Sequence, residues 1–175
     1  MSDGRMVEVA TIGSEGMVGI TVFLGGDVAP GDAFIQVPDG DAQAMSTEAF
    51  RRELDRRGPF YDVTSRYAQA LQTLIMQSAA CFSMHSVEER CSRWLLMTHD
   101  RVEGDDFQLT HEFLSYMLGT RRPTVSLVLG TLEKAGVIRN GTKRITIVNR
   151  PGLEKMSCEC YQVVKGHFDR LLPHP

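Results

Sequence analysis

The sequence predicts an α+β chain with a short β-rich N-terminal part, one long helix and a C-terminal winged helix-turn-helix. Three observations predict it. Residues 109–148 read in direct succession as two short helices, a tight turn and a two-stranded hairpin. Residues 60–81 place apolar and small side chains at alternating steps of four and three. Residues 7–37 hold three short runs of β-formers parted by glycine.

In chain order, Val7 to Ile12, Ile20 to Leu24 and Ala33 to Val37 are expected strands, separated by Gly13-Ser14-Glu15-Gly16 and by Gly25 to Asp32. The glycine-rich Gly13 to Gly19 stretch, GSEGMVG, lacks the Gly-x-x-x-x-Gly-Lys-Ser/Thr phosphate loop and reads as turns. A helix follows, capped by Ser46 or Thr47, running to Arg57 and stopped by Gly58-Pro59. Its arginines 51, 52, 56 and 57 alternate with Glu53 and Asp55, the composition of a solvated helix face.

Phe60, Thr64, Tyr67, Leu71, Leu74, Ser78 and Cys81 then form a heptad-like stripe. Such a stripe is expected as a seam between two copies of the helix, and its competitor is packing against the chain's own N-terminal part. The dimer is favoured because a helix-turn-helix protein gains affinity by placing two reading helices roughly 34 Å apart along DNA. Residues 86–102 form the next helix, with Val87, Cys91, Trp94 and Leu95 inward.

The first helix of the C-terminal unit starts at Thr110, a hydroxyl cap, with Glu112 in the first turn and Gly119 at its end. A second helix runs from about Arg121 to Ala135, with Pro123 in its first turn, where no amide hydrogen is needed. Val125, Val128, Leu129 and Leu132 form its inner face. Val137 to Arg139 and Arg144 to Val148 make a hairpin around Asn140-Gly141, a dipeptide suited to the positive φ of a tight turn.

The second helix of such a unit lies in the DNA major groove, so double-stranded DNA is the expected partner. The candidate contacts are Thr110, Arg121, Arg122, Thr124, Ser126, Leu127, Lys143 and Arg144. An arginine fork matches the two acceptors of a guanine edge, Thr124 and Ser126 can bond bases or phosphates, and Leu127 can meet a thymine methyl. Lys143 and Arg144 on the wing would hold phosphate and set register. The alternative use of such a unit, protein packing with solvated arginines, explains less of this order.

A last helix is expected from Leu153 to Leu172 after the Asn149-Arg150-Pro151-Gly152 turn. Cys158 and Cys160 would point to nearly opposite sides of it, and Cys81 and Cys91 have no close second partner. No metal or other cofactor is therefore expected, and all four cysteines read as reduced, mostly buried thiols. The five histidines fit no metal spacing and no Gly-x-Ser-x-Gly elbow exists, so nothing points to an enzyme.

The 175 residues carry a net charge of −3 that is unevenly spread. Residues 1–60 hold 5 basic and 10 acidic side chains, whereas residues 101–150 hold 8 basic and 5 acidic. Positive charge thus gathers where the reading helix and wing lie, and an electrostatic footprint is a local property. No run approaches the roughly 18 to 20 apolar residues of a membrane helix and no secretory pattern opens the chain, so a cytoplasmic location is expected.

The stretch from Thr110 through the wing resembles the C-terminal domain of the Crp/Fnr superfamily of bacterial transcription regulators. The upstream text SVEERCSRWLLMTHDRV, Ser86 to Val102, resembles the helix that precedes that domain. The resemblance implies a cyclic-nucleotide-binding-like β-roll sensor, here partial, over 1–58, a dimerisation helix over 59–84 and the winged DNA-binding domain over 85–175. It implies that the chain begins inside its sensor domain, and a homodimer as the working form.

Relatives that bind cyclic nucleotides usually carry a Gly-Glu pair for the ribose and an Arg-Ser/Thr pair for the phosphate. Here Gly19-Ile20 and Gly31-Asp32-Ala33 stand instead, so no cyclic nucleotide is expected. The family's iron-sulfur branch uses an N-terminal cysteine cluster that this chain does not contain. The cyclic-AMP-responsive branch usually has Arg-Glu-x-x-x-Arg in the recognition helix. Only Arg122 matches in Arg122-Pro123-Thr124-Val125-Ser126-Leu127, so that operator is not carried over. Two other roles fit the same text: a module that heterodimerises with a longer relative, and a sensor gated by a small molecule, which needs a ligand with different affinities for two states.

Overall fold

The computed structural model describes residues 6–36 and 42–172. Its elements are the helices α1 (Thr47–Asp55), α2 (Pro59–Met84) and α3 (Val87–His99), the strand β1 (Asp106–Gln108), α4 (His111–Met117), α5 (Arg122–Lys134), β2 (Ile138–Gly141), β3 (Arg144–Ile147), α6 (Arg150–Met156) and α7 (Cys160–Leu171). The α+β class holds, with the long helix and the C-terminal winged unit in their expected places. One apolar core runs from Tyr67, Leu71 and Leu74 of α2 through Leu95 and Leu96 of α3 to Leu129, Ile145 and Tyr161.

The N-terminal strands do not form. Among the described residues, 6–36 contain no strand, and Val37, the last residue of the third expected run, lies outside them. A strand exists only where a neighbour accepts its backbone groups, and these runs do not pair with one another. Instead Ile20 to Leu24 winds into successive turns, with Val22 N bonded to Gly19 O at 3.0 Å and Leu24 N to Ile20 O at 3.2 Å.

The segment is held to the helices by polar ties. Trp94 Nε1 donates to both carboxylate oxygens of Glu8 at 3.1 Å, Arg101 grips Glu15 at 2.6 Å, and Tyr67 Oη donates to Met17 O at 2.9 Å. Ala10, Met17 and Ile20 pack on the core beneath.

The expected dimer seam is filled from within the chain. Thr64, Tyr67, Leu71, Leu74, Ser78 and Cys81 are buried, and Phe60 is half-buried against Phe50 of α1 with ring centroids 5.5 Å apart. α7 lies along α2 and buries Cys160, Tyr161 and Val164. The stripe therefore faces the chain's own α7, α3 and N-terminal segment, because the last helix brings an amphipathic face to the same side. The opposite face of α2 stays exposed through Gln69, Gln72, Ile75, Met76, Ala79 and Ala80. No charged residue occurs between 67 and 84.

The helix predicted over 153–172 is two helices. α6 ends at Met156 and α7 begins at Cys160, with Ser157 in extended conformation at ψ 157° between them. Cys158 sits in that break, so it and Cys160 are not two steps along one helix.

Candidate nucleic-acid interface

Each end of the two-helix unit is fixed by a local device. Thr110 Oγ1 accepts from Phe113 N at 3.1 Å to start α4. Gly119 ends α4 at φ 57°, and Gly119 N and Thr120 N close onto Tyr116 O and Ser115 O at 3.1 and 3.0 Å. This paired closure is a Schellman motif, which needs a left-handed residue and so favours glycine. Arg90, buried in α3, donates to Leu118 O at 3.1 Å and lies over the Phe82 ring, fixing α4 to the long helix. Arg121 occupies the cap of α5, Pro123 its first turn, and Gly136 at φ 71° its exit.

Val125, Val128, Leu129 and Leu132 are buried as the periodicity requires. Arg121, Arg122, Ser126 and Leu127 are exposed, Leu127 at 75%, and Thr124 is half-buried. No acidic side chain stands in the first turn of α5, and among the described residues no ion pair engages Arg121 or Arg122. Two uncompensated guanidinium groups thus flank the positive end of the helix dipole.

The sheet has the order β1-β3-β2, all antiparallel. β1 was not foreseen, since three residues carry too little pattern. The hairpin turn lies two residues later than expected: Gly141 pairs with Arg144, leaving Thr142 and Lys143 at the tip, with Lys143 at φ 57°. Asn140 is kept in the strand because its amide donates to Glu133 Oε1 at 2.8 Å and its side chain meets His111.

His111 escaped the sequence reading. Its Nδ1 is 2.9 Å from Ser126 Oγ and its Nε2 is 3.2 Å from Asn140 Oδ1. One imidazole therefore joins α4, α5 and the wing; only the folded geometry shows this, because a lone histidine has no spacing signal.

The predicted site residues now separate by what their side chains already do. The Thr110 and Ser126 hydroxyls are engaged inside the unit, and Arg144 pairs with Asp106 of β1. Arg121, Arg122, Leu127 and Lys143 remain exposed. Gly130 follows one turn after Leu127, and a Cβ there would meet nothing within 4 Å.

Two helices at a tight turn, a basic helix start and a three-stranded wing define a winged helix-turn-helix. Residues 89–156 match the family described as the Crp-like helix-turn-helix domain. Solved structures agree in fold. A transcriptional regulator of the Crp/Fnr family from Eubacterium rectale matches at 19% identity and TM-score 0.50, over 63% of this chain and 51% of that one.

A CooA variant from Carboxydothermus hydrogenoformans matches at 18% and 0.54, over 63% and 55%. A Crp/Fnr-family transcriptional regulator from Thermus thermophilus matches at 21% and 0.52, over 57% and 55%. The matched region spans about half the length of these relatives. No curated protein sequence matches the chain. The Crp/Fnr resemblance read from the sequence holds. Among the described residues no helix is long and apolar enough to cross a membrane.

Proposed function

We propose that the chain is a sequence-specific, DNA-binding transcription regulator that works as a homodimer and inserts α5 into the major groove. The observation that carries this reading is the exposed start of α5, unpaired among the described residues, where Arg121 and Arg122 stand with no acidic residue in the first turn of the helix. Arg122 reads a guanine edge, Leu127 meets a thymine methyl, and Lys143 at the wing tip holds phosphate. Thr110 and Ser126 support the helices that present these groups, and Thr124 lies on the flank of α5.

The dimer forms through the outer face of α2 from Gln69 to Ala80, a stretch without charged residues, since its inner stripe is occupied. A two-fold axis along this face pairs Gln72, Ile75, Met76 and Ala79 with their symmetry copies. Two α5 helices then reach successive major grooves of a two-fold symmetric operator.

In vitro selection tests the reading directly. The purified chain is incubated with random duplexes at physiological salt, and the bound fraction is sequenced. A symmetric motif with half-sites about 10 base pairs apart is expected; a folded chain that enriches no motif overturns the proposal.

A further inference from the structure

Three of the four cysteines meet at one point of the fold. Cys81 lies in the last turn of α2, and its Sγ is 3.5 Å from that of Cys158 in the α6–α7 break, 77 residues away in sequence. Cys160 opens α7, and its Sγ is 3.5 Å from Nδ1 of His85, the residue that ends α2. The three sulfurs and a ring nitrogen of His85 all lie within 4.8 Å of one another. A tetrahedral ion bonded at about 2.3 Å to sulfur and about 2.0 Å to nitrogen sets its ligands roughly 3.5 to 3.8 Å apart. Closing the cluster on such an ion needs ligand shifts of about 1 Å.

The surroundings supply what a metal site requires beyond its ligands. His85 Nε2 is 3.2 Å from Glu159 Oε2, so a proton held there leaves the Nδ1 lone pair facing the sulfurs. Gln77 Nε2 donates to Cys160 Sγ at 3.1 Å. Arg90 and Arg93 are buried, each keeps an Nε with no hydrogen-bond partner among the described residues, and both lie close enough to act electrostatically on the thiols, Arg90 on Cys81 and Cys158 and Arg93 on Cys81. Neutral thiols give these two guanidinium groups no counter-charge. A divalent ion with three thiolates and a neutral imidazole carries net −1 and provides it.

The geometry points to a closed Cys81, His85, Cys158 and Cys160 site for one thiophilic divalent metal ion, with zinc as the best-fitting occupant. On binding, the three S–H protons leave to solvent, each thiolate and the His85 Nδ1 donate a lone pair, and no electron changes hands. All four positions are protein ligands, so the site is structural. It clamps the end of the long helix to the α6–α7 junction, and it does not depend on the DNA-binding reading.

The test uses the full chain, reduced and stripped with a chelator, and titrated first with Co²⁺ and then with Zn²⁺. The expected result is one Co²⁺ per chain with the intense visible bands and sulfur-to-metal charge transfer of a tetrahedral thiolate site, all displaced by Zn²⁺. Glu159→Gln changes an exposed group and should weaken binding by roughly 10- to 100-fold while circular dichroism stays unchanged. Cys158→Ala should abolish the tetrahedral spectrum.

Cys91→Ala should preserve it, since burial pushes that isolated thiol up to about 12 and it lies outside the cluster. A reduced, folded wild-type chain that leaves Co²⁺ with its aqueous spectrum overturns the site. So does a chain that takes no metal but readily forms a Cys81–Cys158 disulfide in air.

Discussion

Arg122 and Lys143 carry the same charge, but their backbones set them different tasks. Arg122 projects from a helix whose axis is fixed by four buried side chains, so its fork has a defined direction. Lys143 stands at a turn tip at φ 57°, where a flexible stem can only deliver charge. Arg122→Ala should therefore cost about 1 to 3 kcal/mol on the selected operator and relax preference at one base position. Lys143→Ala should weaken all duplexes alike and reduce the salt slope by about 1. Equal effects of both changes on selected and random DNA would show that α5 is not the reading helix.

Lys143 also bears a cost that a second substitution isolates. A non-glycine residue in the left-handed region is strained by roughly 1 kcal/mol. Lys143→Gly should raise stability in urea denaturation by about 0.5 kcal/mol while still losing the phosphate contact. Conservation of a strained lysine at the wing tip in a selection for DNA binding would then have a direct physical cause.

Among the elements, α5 and the wing act as one body. His111 bridges Ser126 and Asn140, Glu133 takes the Asn140 amide, and β1 pairs with β3 on the far side. Gly130 is the element's exception. A glycine in a helix interior costs about 0.8 to 1 kcal/mol against alanine, and here no neighbour crowds a Cβ. Its absent side chain matters to what approaches from outside. Gly130→Ala should raise the unfolding free energy by about 0.5 to 1 kcal/mol and at the same time lower operator affinity. A more stable variant with undiminished affinity would show that DNA does not come close to this turn.

For the whole molecule, α2 is the shared wall. Its inner face carries the α7 packing, the Tyr67 tie to Met17 and the Cys81 corner of the thiol cluster. Among the described residues its outer face is left open, with Ile75 and Met76 41% and 65% exposed there. Met76→Glu places a like charge against its symmetry copy across a two-fold interface, so sedimentation should show a monomer with unchanged circular dichroism. A chain that stays dimeric would move the interface elsewhere. Chelation of the proposed metal should lower Tm in a concentration-dependent way, because an ion bound only to the folded state stabilises it by mass action.

Local signals determined the two helices of the winged unit. The caps at Ser46 and Thr110, the stop at Gly119, the proline-led α5 and its inner face are each set by residues within one or two helical turns, which is why they were legible in the sequence. The basic start of α5 was legible for the same reason.

Tertiary structure decided everything that needs a partner distant in sequence. The three N-terminal runs had strand composition but, among the described residues, no strand beside them, so Ile20 to Leu24 wound into turns and the segment tied itself through Glu8, Glu15 and Met17 to Trp94, Arg101 and Tyr67. The stripe on α2 had the spacing of a two-helix seam, and period alone cannot say whether the second helix comes from another chain or from residues 160–171. Asn140 and Gly141 had turn composition, yet bonds from Glu133 and His111 held Asn140 in the strand and moved the turn onto Lys143. The cysteines looked unrelated at positions 81, 158 and 160 until a break in the last helix turned two of them toward the first. Composition and period specify what a segment can do; which of its options it takes is decided by the groups that folding brings within hydrogen-bonding distance.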